Sequence, residues 1–167
     1  MVTGSGDPLL DWLFARPGQD RPGPAGDCFT DEAEWLAAGR SLPDTGGRLA
    51  SLLREHPDPV TRSAAALALG LLGETDARRE LIEALSDAPL VAMEAAAALA
   101  AVGDREAVEP LCAALRSASA NVRANAVAAL GRIGGRRAED CIEMVIADPD
   151  PMVRAAAADA RGRSPNR

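Results

Sequence analysis

The chain has 167 residues, of which 47% are apolar, and its formal net charge is −7. This is enough for one domain with a core, whereas the longest apolar runs are too short and too interrupted by charge to cross a bilayer. The acidic balance argues against bulk binding to nucleic acid or to an anionic membrane surface. Alanine dominates the apolar residues, which suits closely packed helices better than a sheet or a roomy ligand cavity.

The cysteines bear on the cellular compartment. Cys28, Cys112 and Cys141 form an odd count without metal-ligand spacing, so we expect free thiols and a reducing compartment. The first six residues lack the charged-then-apolar order of a signal peptide. The predicted location is the cytoplasm.

The first 27 residues are predicted to form a flexible segment that contains one short helix at residues 7–16. Asp7 supplies an N-cap, and Pro8 occupies the first helical position. Pro17 ends the helix and opens a Pro- and Gly-rich linker that is mobile or extended. The helix has almost no polar side, so its apolar residues must be buried against something. These residues are Leu9, Leu10, Trp12, Leu13 and Phe14.

Two interpretations of this apolar helix are open. In the first, the helix folds back across the linker and packs on its own chain. In the second, it docks into another chain, which is either a partner protein or a second copy of this one. A homo-oligomer is therefore an alternative, formed through this helix or through the C-terminal cap.

A degenerate first repeat is predicted over residues 28–56. Asp31 and Glu34 have the spacing of a capping box, which starts a helix that Gly39 ends. After a turn, a second helix is predicted over residues 48–55. A divergent terminal repeat is expected in a tandem array, because its outer face meets water and not a neighbour.

The rest of the chain contains four copies of one short sequence pattern, which we call the phrase. Its anchor alanines, Ala65, Ala95, Ala126 and Ala157, lie 30, 31 and 31 residues apart, which indicates a tandem array. Each of the first three units begins at a turn, continues as helix A, and reverses at a glycine that supplies a left-handed C-cap. Helix B follows, with aliphatic residues at i, i+4 and i+8 on one face. The reversing glycines are Gly73, Gly103 and Gly134, and the aliphatic positions are Leu81, Leu111 and Ile142, then Leu85, Leu115 and Ile146.

The α-solenoid domain is predicted to span residues 28–163. It comprises the degenerate repeat, full repeats at 57–87, 88–118 and 119–148, and a half-repeat cap at 149–163, followed by a tail at 164–167. Pro110 lies inside a helix B, which is possible only if the first hydrogen-bonded turn begins near Ala107.

The phrase resembles the short HEAT-like repeats of the phycobilisome-lyase (E-to-Z) type, D-P-x-V-R-x-x-A-A-x-A-L-G-x-x-G followed by an A-x-x-x-L-x-x-x-L helix. The copy VRANAVAALGRIG at residues 122–134 is close to that pattern. The resemblance covers about residues 58–162 and implies an all-α fold, a right-handed α-solenoid (superhelix) of helical hairpins. It implies three classes of role: a protein-binding scaffold, a bilin lyase/isomerase-like or chaperone-like subunit acting with a partner subunit, and a nucleic-acid-binding HEAT-like protein.

The residue chemistry favours the first of these roles. Deoxyhypusine hydroxylase, built on similar repeats, uses His-Glu pairs to hold two irons, but the single histidine here, His56, lies in a turn. The repeats contain no aromatic residue, unlike the DNA glycosylases built of HEAT-like helices. No nucleophile–base pair is present, so no catalytic, metal or cofactor residue is assigned. The sequence predicts a non-catalytic adaptor for a protein partner, with neither nucleic acid nor a membrane as its target.

Three arginines share one repeat position, which Ala92 occupies in the remaining copy. They are Arg62, Arg123 and Arg154. We predict a structural ladder in which each guanidinium bonds acids or carbonyls of the adjacent inter-repeat turn. The alternative is a row of charge for an anionic partner.

The predicted partner-binding surface lies on helix B, opposite its leucines, on the side that usually lines the concave face of such solenoids. It presents Arg79, Glu109 and Asp140 at one repeat position, and Glu83, Ala113 and Met144 at another. Cys112 and Cys141 lie on helix B of successive units, where they are predicted to be core filler or half-buried thiols.

Arginines also gather at the turns between helix A and helix B. We predict that an acidic or phosphorylated partner contacts Arg132, Arg136 and Arg137, which share this edge with Arg105, Arg161 and Arg163.

Overall fold

The computed structural model describes residues 6–17 and 31–162, which are all-α, with no strand in these ranges. The predicted all-α solenoid of helical hairpins is confirmed. Two 3-10 turns, Thr75–Ala77 and Arg105–Ala107, precede two of the helices. The helices are α1 Pro8–Leu13, α2 Glu32–Ser41, α3 Thr45–Glu55, α4 Pro59–Leu72, α5 Arg78–Ala84, α6 Pro89–Val102, α7 Val108–Ala114, α8 Ala120–Ile133, α9 Arg136–Glu143 and α10 Pro151–Gly162.

The A helices α4, α6, α8 and α10 stack directly on one another. Their four anchor alanines are all fully buried. Glycines bring the backbones still closer: a Cβ added at Gly70 would lie 2.6 Å from Ala98 Cα, and one at Gly131 would lie 2.6 Å from Ala160 Cβ. The alanine-rich phrase therefore encodes close helix packing.

The turns after helix A are of two kinds. Gly73 and Gly103 have φ of 74° and left-handed helical ψ, so the predicted left-handed C-caps are confirmed there. Gly134 also has a positive φ, 71°, but its ψ of −172° is extended. The left-handed C-cap predicted at Gly134 is therefore wrong, because the chain leaves α8 through two successive glycines, Gly134 and Gly135, before α9 begins.

The B helices are short. Pro110 is the third residue of α7, where no intrahelical bond needs its missing N–H, and Ala107 is the N-cap, as predicted. Leu81, Leu111 and Ile142 are buried. The prediction that Ile146 belongs to the apolar face of helix B is wrong, because Ile146 lies beyond the end of α9 and is 43% exposed.

The N-terminal elements differ from the predicted bounds. Asp31 caps α2 by accepting a hydrogen bond from Glu34 N at 2.8 Å, as predicted. The helix then continues through Gly39 to Ser41, so Gly39 is not its C-cap. α3 begins at Thr45 and not at residue 48, and the Thr45 hydroxyl shares its one proton between the carbonyls of Gly39 and Leu42, which ties this start to the end of α2. α1 ends at Leu13, earlier than the predicted residue 16.

A disulfide joins Cys112 and Cys141, whose Cα atoms are 5.7 Å apart. The expectation of free thiols at these two positions is therefore wrong. The argument for a reducing compartment that was based on free thiols is lost with it. The cause is the repeat geometry: residues 29 apart, close to one repeat period, fall on neighbouring B helices within the Cα range of a disulfide. The link ties α7 to α9.

Several predictions fall outside the described residues: the start of the flexible N-terminal segment at 1–5, the linker at 18–27, Cys28, Arg163 and the tail at 164–167. None of the described helices is long and apolar enough to cross a membrane.

Candidate functional site

The arginine ladder consists of side chains that tie one inter-repeat turn to the next. Arg62 donates two hydrogen bonds to Asp87, both at 2.7 Å, and two more to the carbonyls of His56 and Pro57 at 2.8 and 3.0 Å. We call such an arginine with its carbonyl and carboxylate partners a rung. Each rung joins the turn before its own helix A to the turn before the next helix A. These bonds are of the kind that the sequence predicted.

The second rung repeats this geometry two units later, beyond the unit that carries Ala92. Arg123 donates to Asp148 at 2.9 and 2.8 Å, and to the carbonyls of Ser117 and Ala118 at 2.9 and 3.3 Å. Arg154, in the last unit, donates to two carbonyls only, those of Asp148 and Pro149. The charge of Arg154 also acts on the Asp148 carboxylate, whose pKa it helps to lower.

The rungs also make stability depend on pH. Hydrogen bonds from Arg123 hold the pKa of Asp148 below its ordinary value, and Arg62 acts in the same way on the pKa of Asp87. A carboxyl group with a lowered pKa in the folded state stabilises the fold fully above its unfolded pKa, about 3.9. That stabilisation is lost as the pH falls through the lower folded value. The rungs should therefore weaken in acid and be intact at neutral pH.

Replacing Arg123 tests this contribution. We expect Arg123→Gln to lower the urea midpoint of unfolding at pH 7 more than Arg154→Gln does, because Arg123 loses a carboxylate partner that is only 7% exposed in addition to two carbonyls. Below about pH 4 the difference between the two variants should shrink, because the unfolded chain takes up a proton at Asp148 before the paired carboxylate of the folded state does. Equal losses at pH 7, or a difference independent of pH, would contradict the rung assignment.

The residues predicted to bind a partner on helix B all face solvent. The Arg79 and Glu83 side chains are 85% and 53% exposed and pair with each other at 3.0 Å. Asp140 is exposed. Met144 is 69% exposed and is the most exposed large hydrophobic side chain in the described part of the chain. We call these residues, together with Glu109, the helix-B face.

The arginines at the turns between helix A and helix B are only partly available to bind a partner. Arg137 makes a two-pronged ion pair with Glu109 of the preceding helix B, and Arg161 pairs with Glu143. Arg132 and Arg136 are exposed and make no ion pair within the described residues. The prediction of an acidic or phosphorylated partner therefore rests on these two, because Arg137 is already engaged. Arg105 is also exposed.

Sequence reasoning missed the ion pairs that run between layers. Arg78 contacts Asp104 at 2.8 Å and Glu106 at 2.6 Å, and Arg137 contacts Glu109. In each case the partners are nearly one repeat apart. Residues of opposite charge at that separation in the sequence could have indicated these ion pairs.

The apolar N-terminal helix packs on its own chain. The rings of Trp12 and Trp35 are stacked with centroids 4.4 Å apart and planes 12° from parallel. Each indole N–H donates to the backbone carbonyl of the other tryptophan, at 2.7 and 2.9 Å. Leu9 and Leu13 are buried, and Leu10 and Phe14 are half-buried. The geometry is that of the first interpretation, in which the helix folds back.

Charged side chains fasten the same helix. Asp7, its N-cap, forms an ion pair with Arg48 of α3. Arg16 pairs with Glu32 at 2.8 Å, and its guanidinium lies 5.9 Å from the centre of the Trp35 ring. Contacts to both α2 and α3 therefore hold this segment against the first hairpin.

Over residues 6–17 and 31–162, no three His, Cys, Asp or Glu side chains come together in a group that could hold a metal ion.

Comparison with known families gives two overlapping matches. A family model described as HEAT repeats matches residues 47–119 and again residues 108–166. The matches together span well over half of the chain and include α4 to α10, the helices that carry the arginine ladder and the helix-B face. No curated protein matches the chain.

Proposed function

Since the chain belongs to the HEAT repeat family, we propose that it is a non-catalytic scaffold or adaptor that binds a protein partner through the helix-B face. Solenoids of this kind commonly present extended surfaces to other proteins. One observation carries the proposal: Met144, a large apolar side chain, is 69% exposed on that face. Flexible, exposed methionine is a frequent component of binding surfaces.

The distribution of buried and exposed positions within each unit supports this proposal. The alanines and leucines that recur along the array are buried and hold the layers together, as Leu81 and Leu111 do. The helix-B residues that change from layer to layer face solvent, as Glu109 and Asp140 do. The residues that differ between repeats therefore lie on the exposed helix-B face, where a partner could contact them.

Two methionines offer a matched test. Met144 lies on the helix-B face, and Met152, 43% exposed, lies at the start of α10 on a helix A. A partner is first captured from the source cell with the full chain and identified by mass spectrometry. Its affinity is then measured by calorimetry for wild type, Met144→Glu and Met152→Glu. We expect Met144→Glu to weaken binding about tenfold or more, and Met152→Glu to leave it unchanged.

The opposite ranking, or equal affinities for both variants, would exclude the helix-B face as the binding surface. The edge that carries Arg132 and Arg136 would then be the next candidate.

Two finer assignments accompany this proposal. We infer from the copy at residues 122–134 that the repeats are of the phycobilisome-lyase type; the lyase-like or chaperone-like subunit remains the alternative function, and visible absorbance after co-expression with a bilin source would favour it. The cytoplasmic location stays a prediction, and the disulfide between Cys112 and Cys141 removes the support that free thiols would have given it.

A further inference from the structure

The arginine ladder is interrupted at one turn, where both of its side chains are replaced. Arg62 and Arg123 each bond an aspartate 25 residues later in the chain. The unit between them has Ala92 at the arginine position and, 25 residues later, Ser117 at the aspartate position. The paired replacement removes a whole rung without leaving an unpaired carboxylate behind.

A groove of about 600 Å³ occupies the place of this missing rung. Ala92 and Ser117 line it, and so do Ser86 and Asp87. In the intact rungs the arginine bonds the carbonyls six and five residues before it. Ser86 and Asp87 stand at those two offsets from Ala92, so all four positions of the missing rung border the groove.

The groove has the chemistry to receive a guanidinium from outside the chain. Arg154 donates to two backbone carbonyls, and Ser86 and Asp87 hold the equivalent positions at the groove. Leu85, Pro110 and Val122 supply apolar wall along which the methylene stem of an arginine can lie. A guanidinium is weakly hydrated and donates in a planar fork, so it loses less on entering such a groove than an ammonium group does.

The charged side chains around the groove are of both signs, and its carboxylates already have partners. Glu83 and Asp87 are the carboxylates that line it, and Arg116 is its cation. Asp87 is already bonded by Arg62, and Glu83 pairs with the exposed Arg79. The net charge of the chain, −7, favours the approach of a basic segment.

We propose that this groove binds an arginine side chain of the partner protein, with its guanidinium on the carbonyl oxygens of Ser86 and Asp87. The proposal rests on the proposed function, since it names the chemistry that the partner carries. Glu83, a residue of the helix-B face, lines the groove, so the arginine would enter at the edge of that face. The partner completes the ladder where the chain itself does not.

Two small peptides test the site without knowledge of the partner. N-acetyl-Gly-Arg-Gly-amide is titrated into the full chain, and the amide shifts of Ser86, Asp87 and Ser117 are followed by NMR. The comparison peptide carries citrulline, which has nearly the shape of arginine but no charge. We expect the arginine peptide to bind about tenfold more tightly, because bonds from a charged donor are about twice as strong as neutral ones. Equal affinities, or shifts confined to residues away from the groove, would overturn the proposal.

Rebuilding the rung provides the second arm of the test. In A92R/S117D the chain's own guanidinium should fill the groove, raise the melting temperature and abolish binding of the arginine peptide. A92Q blocks the groove with a neutral side chain and serves if the double variant fails to fold, as judged by circular dichroism. A128R places the same charge on an exposed position of α8 and should bind the peptide as wild type does. Undiminished binding by folded A92R/S117D or A92Q would overturn the proposal.

The two proposals fail separately. A captured partner that still binds A92R/S117D with wild-type affinity, but loses affinity to Met144→Glu, would leave the scaffold function standing and remove the arginine site. A chain that binds the arginine peptide in the groove but captures no partner would leave the arginine-binding groove standing and remove the support for the scaffold function.

Discussion

Loss of the disulfide between Cys112 and Cys141 is expected to lower the free energy of unfolding by about 3–4 kcal/mol. The chain-entropy model gives this value for the closure of a loop of about this size, since the two cysteines are 29 residues apart. For a domain whose total stability is about 5–15 kcal/mol, this is one of the largest effects that a single link can have. Urea unfolding with and without dithiothreitol measures it.

The double variant C112A/C141A separates the disulfide from other effects of the reductant. Alanine is preferable to serine here because Cys141 is 1% exposed, and a buried hydroxyl without a partner would add its own cost. Wild type should become less stable in reductant, whereas the double variant should be equally stable with and without it. A thiol titration of the unfolded chain should find one reactive thiol before reduction and three after it. Unchanged stability of wild type in reductant, or three thiols at the outset, would show that the link is absent.

The same link shows where sequence reasoning stopped short. The spacing of the anchor alanines was enough to predict the array, because close helix packing accepts only small residues at a contact repeated every layer. Cysteine pairing depends instead on the distance between two Cα atoms in the folded chain. The separation of 29 residues could have suggested neighbouring layers, but an odd cysteine count outweighed it.

Glycine raised a different difficulty, since it serves two purposes that look alike in a sequence. Gly73 and Gly103 reverse the chain and were predicted correctly. Gly39 was predicted to do the same, yet it lies inside α2 and makes room for Trp12. That contact joins segments on either side of the linker, and no local pattern carries information about it. The missing rung likewise became visible only when the partners of Arg62 and Arg123 showed which second residue had changed along with Ala92.

Gly39→Ala is expected to detach α1 and to lower the free energy of unfolding by about 2–4 kcal/mol, the range for overpacking or losing a buried aromatic side chain. A Cβ at this position would lie 2.1 Å from Trp12 Cζ2. The Trp12 ring has little freedom to move aside, because it is stacked on Trp35 and its N–H donates to the Trp35 carbonyl. Yielding would therefore break the stack, both indole hydrogen bonds and the burial of Leu9 and Leu13.

The substitution has a built-in reporter and a matched control. Trp12 and Trp35 are the two tryptophans of the chain, so their fluorescence emission reports this contact alone, and it should shift to longer wavelength in Gly39→Ala. Gly162→Ala is the same change in another helix, at a position where a Cβ would meet no atom within 4 Å. It should leave emission unchanged and stability equal or slightly higher, because alanine favours the helix over glycine by up to about 1 kcal/mol.

The result also decides how the apolar helix is used. If Gly39→Ala shifts the emission and the chain then elutes as a larger species, the freed face of α1 is one that a second copy or a partner can cover. If it elutes as before, the face serves only to seal the first hairpin. An emission spectrum and a stability equal to those of wild type would mean that Trp12 does not rest on Gly39, and the assignment of α1 to its own chain would fail with it.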